Sequence, residues 1–522
     1  MQIEACSSVE EKPFDDSRRC FERVVAELSS PRTVRMTHSE LERYLENDGL
    51  ELLRQLYQDH LEYRGPGEVE GDVVGADGVR RPYARPADRG LKCIFGSVNA
   101  GRLGYSTHDA ETLFPRDAEL NLPAGLYSHG VERRVVDEAV KGSFDATVEA
   151  VAATTGTTVP KRQAEEIVER AATDFDAFYE ARSADSRREA AKTGKILVVT
   201  TDAKGVVMRH EGLREETRKA AEEDRHKLSR RLSPGEKRNR KRMAQVAAVY
   251  TIAPFLRTPE DVVKEVRRRE DEDEPRPVRP RPENKRVWAS VDKEPEEVVK
   301  AMFDEAKLRD PAQDKRWAAL VDGNPVQLKL IKKRAKQLGL ALTIVIDLMH
   351  VLDYMWKAAM AIHGGGTAQA ERWVTERLAL LLQGQSSAVA AGMRRSATLR
   401  GMPAAKRKPV DECASYLLKY RAYLHYDDYL AGGLPISTGV IEGACRYLVK
   451  DRMDITGARW GLAGAEAVLK LRSLRASGDL NEYWLFHEHA DYSRNHASRY
   501  KDAPPATTLP LNVARRGRLH AV

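Results

Sequence analysis

Three acidic residues stand where a carboxylate can do chemistry: Asp202 after the apolar run ILVVTT, Asp322 in LVDGN, and Glu442 in STGVIEGACRYLVKDRM. The first two close runs that read as strands. The third lies on a helix whose Ile441, Ala444, Cys445 and Leu448 recur at i, i+3, i+4 and i+7, with Ser437 or Thr438 able to cap its start. A carboxylate beside a core costs solvation unless it meets a cation. Three brought together repel, each raising its neighbours' pKa. Divalent magnesium resolves that conflict, because it takes oxygen ligands and keeps positions open for phosphate and water. Two such ions, with Mn2+ able to substitute, activate a water or a 3′-hydroxyl and stabilise the leaving oxygen in phosphoryl transfer. Arg446 and Lys450 follow Glu442 at four-residue steps, placed to hold a nucleic-acid phosphate. Read singly, each acid has a plainer account. DAKG and DGN are ordinary turn sequences, and Glu442 with Arg446 is a surface ion pair of about 0.3–0.5 kcal/mol. The conjunction carries the weight.

The elements that must position these groups follow from pattern and composition. A chain of 522 residues is too long for one core and predicts several domains. Charged residues make up 32% and the net charge is +7, a mild lean towards polyanions. No run of about 18 apolar residues and no signal-peptide core occurs, so a cytoplasmic protein without membrane spans is expected. The five cysteines are scattered, without zinc spacing or a disulfide framework.

Residues 1–64 read as helical, and the glycine-rich 65–114 as a small β-meander without zinc ligands. Residues 115–190 read as short helices, the last two parted by TTGTTV in a helix-turn-helix layout that presents Lys161 and Arg162 to DNA. A plain helical hairpin fits the same stretch. GKILVVTTDAKGVVM reads as a strand, a turn and a second strand, with Asp202 where the first ends. MAQVAAVYTIAPF, RWAALV and LALTIVID are further strands, alternating with helices and so predicting a partly parallel, doubly covered sheet across 191–352. Two charged excursions interrupt it, 209–243 and 269–286; the cations from Arg225 to Arg242 are dense enough to track a phosphate backbone. Residues 353–436 read as an all-helical insertion, 437–490 as the last part of the core and 491–522 as a basic tail.

In this order of elements the chain resembles DDE transposases with a ribonuclease H-like core, most closely the ISKra-type transposases of bacterial insertion sequences. The resemblance runs through VVTTDAKGVVM, NKRVWASV, ALVDGNP, IDLMHVLDYMW, GVIEGACRYLVKDRMDITGARWGLAGAEAVLKLRSLRASGD and NEYWLFHEH. It implies an α/β fold, a ribonuclease H-like mixed sheet flanked by helices, with the helical insertion and a mainly helical DNA-binding N-terminal region. It implies Asp202, Asp322 and Glu442 as the catalytic, metal-holding triad. Asp347 and His350, in DLMH, resemble the (C/D)xxH signature of Mutator-like and related transposases, with a supporting or DNA-binding role; a core histidine satisfied by Asp347 is the alternative. Arg446, Lys450, Arg452 and Arg459 join the implied DNA-binding surface. Trp460 stacks on an unpaired base or is a core tryptophan. The family's cysteine-pair zinc module is not matched, since its region holds only Cys93.

The resemblance implies metal-dependent cleavage at transposon ends and strand transfer into target double-stranded DNA, by at least a homodimer. Two alternatives stay open: a nuclease or resolvase on the same core, and a catalytically silent DNA-binding protein derived from a transposase.

Overall fold

A computed structural model describes residues 13–190, 194–223, 240–267, 278–455 and 457–508. Its contacts divide into two units, one up to Asp174 and from Asn481 onward, the other Phe175–Leu480. The division falls earlier than the sequence pattern suggested at both ends of the core.

In the first unit, α1 (Asp15–Leu28) packs on α2 (His38–Tyr63), which opens with a capping box between Thr37 and Glu40. The glycine-rich stretch folds into an antiparallel meander: β1 (Tyr83–Cys93), β2 (Gly96–Thr107) and β3 (Ala110–Leu113). Cys93 is a buried free thiol in its core. After α3 (Pro115–Glu119) come three short helices, α4 (His129–Ala139), α5 (Phe144–Thr154) and α6 (Lys161–Ala171), with α6 against both others. The α5–α6 turn docks on the meander: Thr157 Oγ1 donates to the Cys93 carbonyl at 2.7 Å and the Gly156 amide to that of Ile94 at 2.9 Å. A Cβ on Gly156 would collide with the Phe95 carbonyl, so this close approach needs glycine.

The second unit starts with α7 (Phe175–Ala190) and is built on a five-stranded mixed sheet. Its elements are β4 (Ile196–Val207), α8 (Glu215–Glu223), β5 (Lys241–Ile252), α9 (Pro259–Arg267), β6 (Glu283–Ser290), α10 (Pro295–Arg309), β7 (Arg316–Val321), α11 (Pro325–Gln337) and β8 (Leu342–Ile346). The strand order is β6-β5-β4-β7-β8. β5 is antiparallel to β4 and β6, whereas β7 and β8 run parallel to β4. Ile196–Thr201 are all buried, as a central strand covered on both faces requires.

Two expectations are corrected here. ILVVTTDAKGVV is one unbroken strand paired with β5 along its whole length, not a hairpin. Its polar DAK triplet lies beyond Thr200, the last residue paired with β7, where that side of the sheet has ended and polar side chains find open space. The segment from Glu283, expected in a flexible excursion, is edge strand β6, whose first residues are charged because an edge tolerates exposure. Helix α19 (Leu462–Ser477) covers that edge. Ser477 and Ser473 hydroxyls accept from the Val287 and Ala289 amides at 3.0 and 3.2 Å, and Glu466 from that of Val291 at 2.8 Å. Of the basic run Arg225–Arg242, positions up to 239 lie outside the described residues; Lys241 and Arg242 open β5. Positions 269–277 of the second excursion also lie outside them.

The insertion is helical throughout: α12 (Leu348–His363), α13 (Ala368–Leu382), α14 (Ser386–Leu399), α15 (Ala404–Tyr420) and α16 (Tyr426–Ala431). α12 crosses position 353 without a break, so the insertion begins inside a core helix. Next come α17 (Gly439–Ala444), a π-helical turn over Cys445–Lys450 and α18 (Asp451–Met453). The final helix, α20 (Leu480–Asn495), belongs to the first unit from Asn481. The expected basic tail begins inside it, and Tyr500 and His496 beyond it are buried; only 509–522 lie outside the described residues. Among the described residues no helix is long and apolar enough to cross a membrane.

Candidate functional site

The parallel register of the sheet brings the carboxylates into line. Thr200 is level with Leu320, and Val321 with Ile346. Continuing each strand sets Asp202 level with Asp322, and Asp322 level with Asp347. The Asp347 amide still donates to the Val321 carbonyl at 2.9 Å. Three aspartates thus form one row across the same end of three neighbouring strands, Asp202 within β4 and the other two just past β7 and β8.

Glu442 joins the row from α17, which packs on β4 and β5. Its helix buries Ile441, Ala444, Cys445 and Leu448, the four predicted positions. Thr438 holds the N-cap position but does not cap with its side chain. Its hydroxyl donates instead to Asp347 Oδ2 at 2.5 Å, and lies 3.4 Å from Glu442 Oε1. Asp347 and Asp202 both lie close enough to act on Glu442 through their charge. Partial burial first, then Asp347 and Asp202, push the Glu442 carboxyl above the usual glutamate range.

Each acid is also oriented by its own surroundings. Asp202 Oδ1 accepts from the Ala203 amide at 2.6 Å, and Oδ2 from the Cys445 thiol at 3.2 Å. Burial and the Asp202 charge push that thiol far above its ordinary pKa, so it stays a protonated donor. Asp322 Oδ1 accepts from the Asn324 amide at 2.8 Å. Asp347 is 1% exposed, with Oδ1 engaged by the Met349 amide at 3.0 Å and Oδ2 by Thr438. Both its oxygens are thus engaged, which fixes Asp347 and Thr438 against each other.

All-oxygen donors and mutual repulsion fit a hard divalent cation in chemistry. They do not converge on one point: among the described residues, the three metal-ligand side chains whose donor atoms lie within 4.8 Å of one another are the exposed His425, Asp427 and Asp428.

The other predicted residues divide. His350 lies edge-on to Tyr354 at 5.5 Å and tilted to Tyr416 at 6.0 Å, within an aromatic wall. Arg446, Lys450 and Arg459 are exposed, Arg446 being 3.7 Å from Asp451. The π turn alters the rise after Ala444, so Glu442, Arg446 and Lys450 do not keep the straight i, i+4 row expected. Arg452 is buried, 3% exposed, which corrects its placement on a DNA-contacting surface, and Trp460, 7% exposed, is the core tryptophan of its two readings. The Arg452 guanidinium lies 4.7 Å from the Trp460 ring centre, and Trp460 Nε1 donates to the Met453 carbonyl at 3.1 Å. In the first unit, exposed Lys161 and Arg162 open α6 and pair with Asp145 and Glu166 at 2.8 and 3.1 Å.

Sequence reasoning missed Thr438, Cys445, Tyr416 and Tyr420 as site residues. Thr438 and Cys445 carry one signal, lying four before and three after Glu442 on the same helix face. No family model matches the chain, and no curated protein compared with it matches either.

Proposed function

We propose that this protein is a DNA transposase with a ribonuclease H-like catalytic core, cutting transposon ends and joining them to target DNA. One observation carries the reading: Asp202 and Asp322 each lie two residues past the last paired positions, Thr200 and Leu320, of two parallel strands, at the end where Asp347 and Glu442 also lie. The sheet supports it too. Three antiparallel strands in sequence followed by two parallel additions, in spatial order third-second-first-fourth-fifth, are the arrangement the resemblance implies.

Asp202, Asp322 and Glu442 are the residues that would hold magnesium. When bound, such ions supply an activated water or 3′-hydroxyl and neutralise charge at the phosphodiester. The chain's own residues do the rest. Cys445 holds Asp202 and Thr438 holds Asp347, with the Thr438 hydroxyl 3.4 Å from Glu442. Exposed Arg446 and Lys450 flank the acids and attract the DNA backbone. Lys161 and Arg162, at the front of α6, are the proposed end-recognition contacts, and dimerisation would bring two ends together.

Purified protein incubated with labelled DNA carrying the element's own termini and Mg2+ tests this. Cleavage should be lost in Asp202→Ala, Asp322→Ala and Glu442→Ala, with end binding kept. Pre-cleaved ends should be joined to a target plasmid. A protein that cuts but never joins is a nuclease, and loss of end binding in the alanine variants would overturn the assigned roles.

A further inference from the structure

Four tyrosines of the helical insertion put their hydroxyls on main-chain carbonyls, two of them just past β7 and two along the outer side of β8. Tyr416 and Tyr420, one turn apart on α15, donate to the carbonyls of Asp322 and Gly323 at 2.7 and 2.5 Å. Tyr426 and Tyr429 on α16 donate to those of Ile346 and Ile344 at 2.8 and 3.1 Å. β8 is the outer strand of the sheet, so the α16 pair satisfies acceptors on an edge that has no further strand. The α15 pair reaches a place with no ladder at all, the turn where Asp322 has left β7. There Gly323 takes φ +91°, and a Cβ on it would lie 2.8 Å from the Tyr416 hydroxyl. Turn and tyrosine are fitted to each other.

The two α15 rings are themselves held. Tyr416 stacks on Tyr354 of α12 with centroids 4.5 Å apart, and Tyr420 tilts against Tyr416 at 4.7 Å. Both are buried, 9% and 5% exposed. Only two atoms of backbone separate the Tyr416 bond from the Asp322 side chain, so releasing that carbonyl frees the carboxylate to swing away from the row.

We propose that Tyr416 and Tyr420 are positioning residues for Asp322, making the helical insertion part of the apparatus that sets the carboxylate row. The inference rests on the reading of that row as the metal-holding site. In full-length protein, Tyr416→Phe and Tyr420→Phe should raise the Mg2+ concentration for half-maximal end cleavage by about 10-fold, the scale of outer-shell partners of metal ligands. Mn2+ binding, followed by electron paramagnetic resonance without DNA, should weaken alike. Amide exchange should quicken over 322–326, while DNA-end binding stays as in wild type. Tyr429→Phe removes a hydroxyl bond to Ile344, inside the sheet, and should cost stability without moving the metal dependence. Folded variants at Tyr416 and Tyr420 with wild-type Mg2+ and Mn2+ dependence would overturn the proposal alone. Wild-type protein that neither takes up Mn2+ nor cleaves would overturn the metal reading, and this inference with it.

Discussion

The two units treat a pair of their carboxylates in opposite ways, Asp174 buried in the first and Glu442 at the surface of the second. In the first unit, Asp174 accepts from His487 at 2.7 Å and twice from Arg494 at 3.0 and 3.1 Å. Burial alone would raise its pKa, but those bonds outweigh it and hold the carboxyl at about 2. In the second unit, Glu442 has Asp347 and Asp202 for neighbours, and its carboxyl is pushed up. One acid is neutralised by its own chain and ties α20 to the end of α6. The other sits among like charges, an arrangement that serves stability poorly and suits a cation or a proton arriving from outside.

The largest expected effect lies on the neutralised side. Asp174→Ala leaves His487, 3% exposed, without its acceptor, while the exposed Arg494 keeps its contact to Asp491 at 3.3 Å. A loss of about 1–3 kcal/mol is expected from leaving the buried His487 unsatisfied. Because the folded pKa lies below the ordinary 3.8, the stabilisation is fully present above about pH 4 and lost as the pH falls towards 2. Calorimetry on the full chain should show the transition of the first unit moving down at pH 7, and the acid-sensitive arm of that transition flattened. A variant as stable as wild type at pH 7 would remove one half of the contrast.

A smaller effect sharpens the other half. Cys445 donates its thiol proton to Asp202 at 3.2 Å, so Cys445→Ala frees that carboxylate and should raise the Mg2+ requirement for cleavage roughly 10-fold. Cys445→Ser keeps a donor and should recover most of the difference. Equal behaviour of the two variants would show that the sulfur fills space rather than orients Asp202.

The sequence made much of this legible, for reasons that differ by element. β7, β8, α10 and α11 each carry an unambiguous period, and the apolar face of α17 was readable because packing on a sheet demands it. β4 was misread because a polar triplet inside a strand looks like a turn unless one knows that β7 stops at that level. β6 was hidden by its charged first half. Asp202, Asp322 and Glu442 were found as chain-local features, yet what orients them arrives from afar. Asp347 meets Thr438 across 91 positions, and Tyr416 meets Asp322 across 94. No local pattern encodes such pairings. Arg452 failed in the other direction: a basic stretch beside a candidate site reads as a surface, and only tertiary packing shows its guanidinium turned inward onto the core indole of Trp460.

The smallest expected effect is the most direct test of the contrast, because its sign is reversed. Glu442 has a folded pKa above its ordinary 4.5, so the fold favours the protonated form. Its stabilising contribution is present at pH values below the ordinary pKa and is lost as the pH rises through the raised one. At pH 7 the ionised side chain therefore works against the fold, and Glu442→Gln, which cannot ionise, should melt about 1–2 °C higher than wild type in chelator. The gap should close as the pH falls towards 4.5, where wild type takes up its proton. Added Mg2+ should raise the melting temperature of wild type at pH 7 more than that of the variant, since a ligand stabilises only the form that binds it. Differential scanning calorimetry at the two pH values, with and without Mg2+, reads all three differences. A variant less stable than wild type at pH 7 would mean that Glu442 is held by favourable contacts, as Asp174 is, and the second unit would hold no strained acidic site.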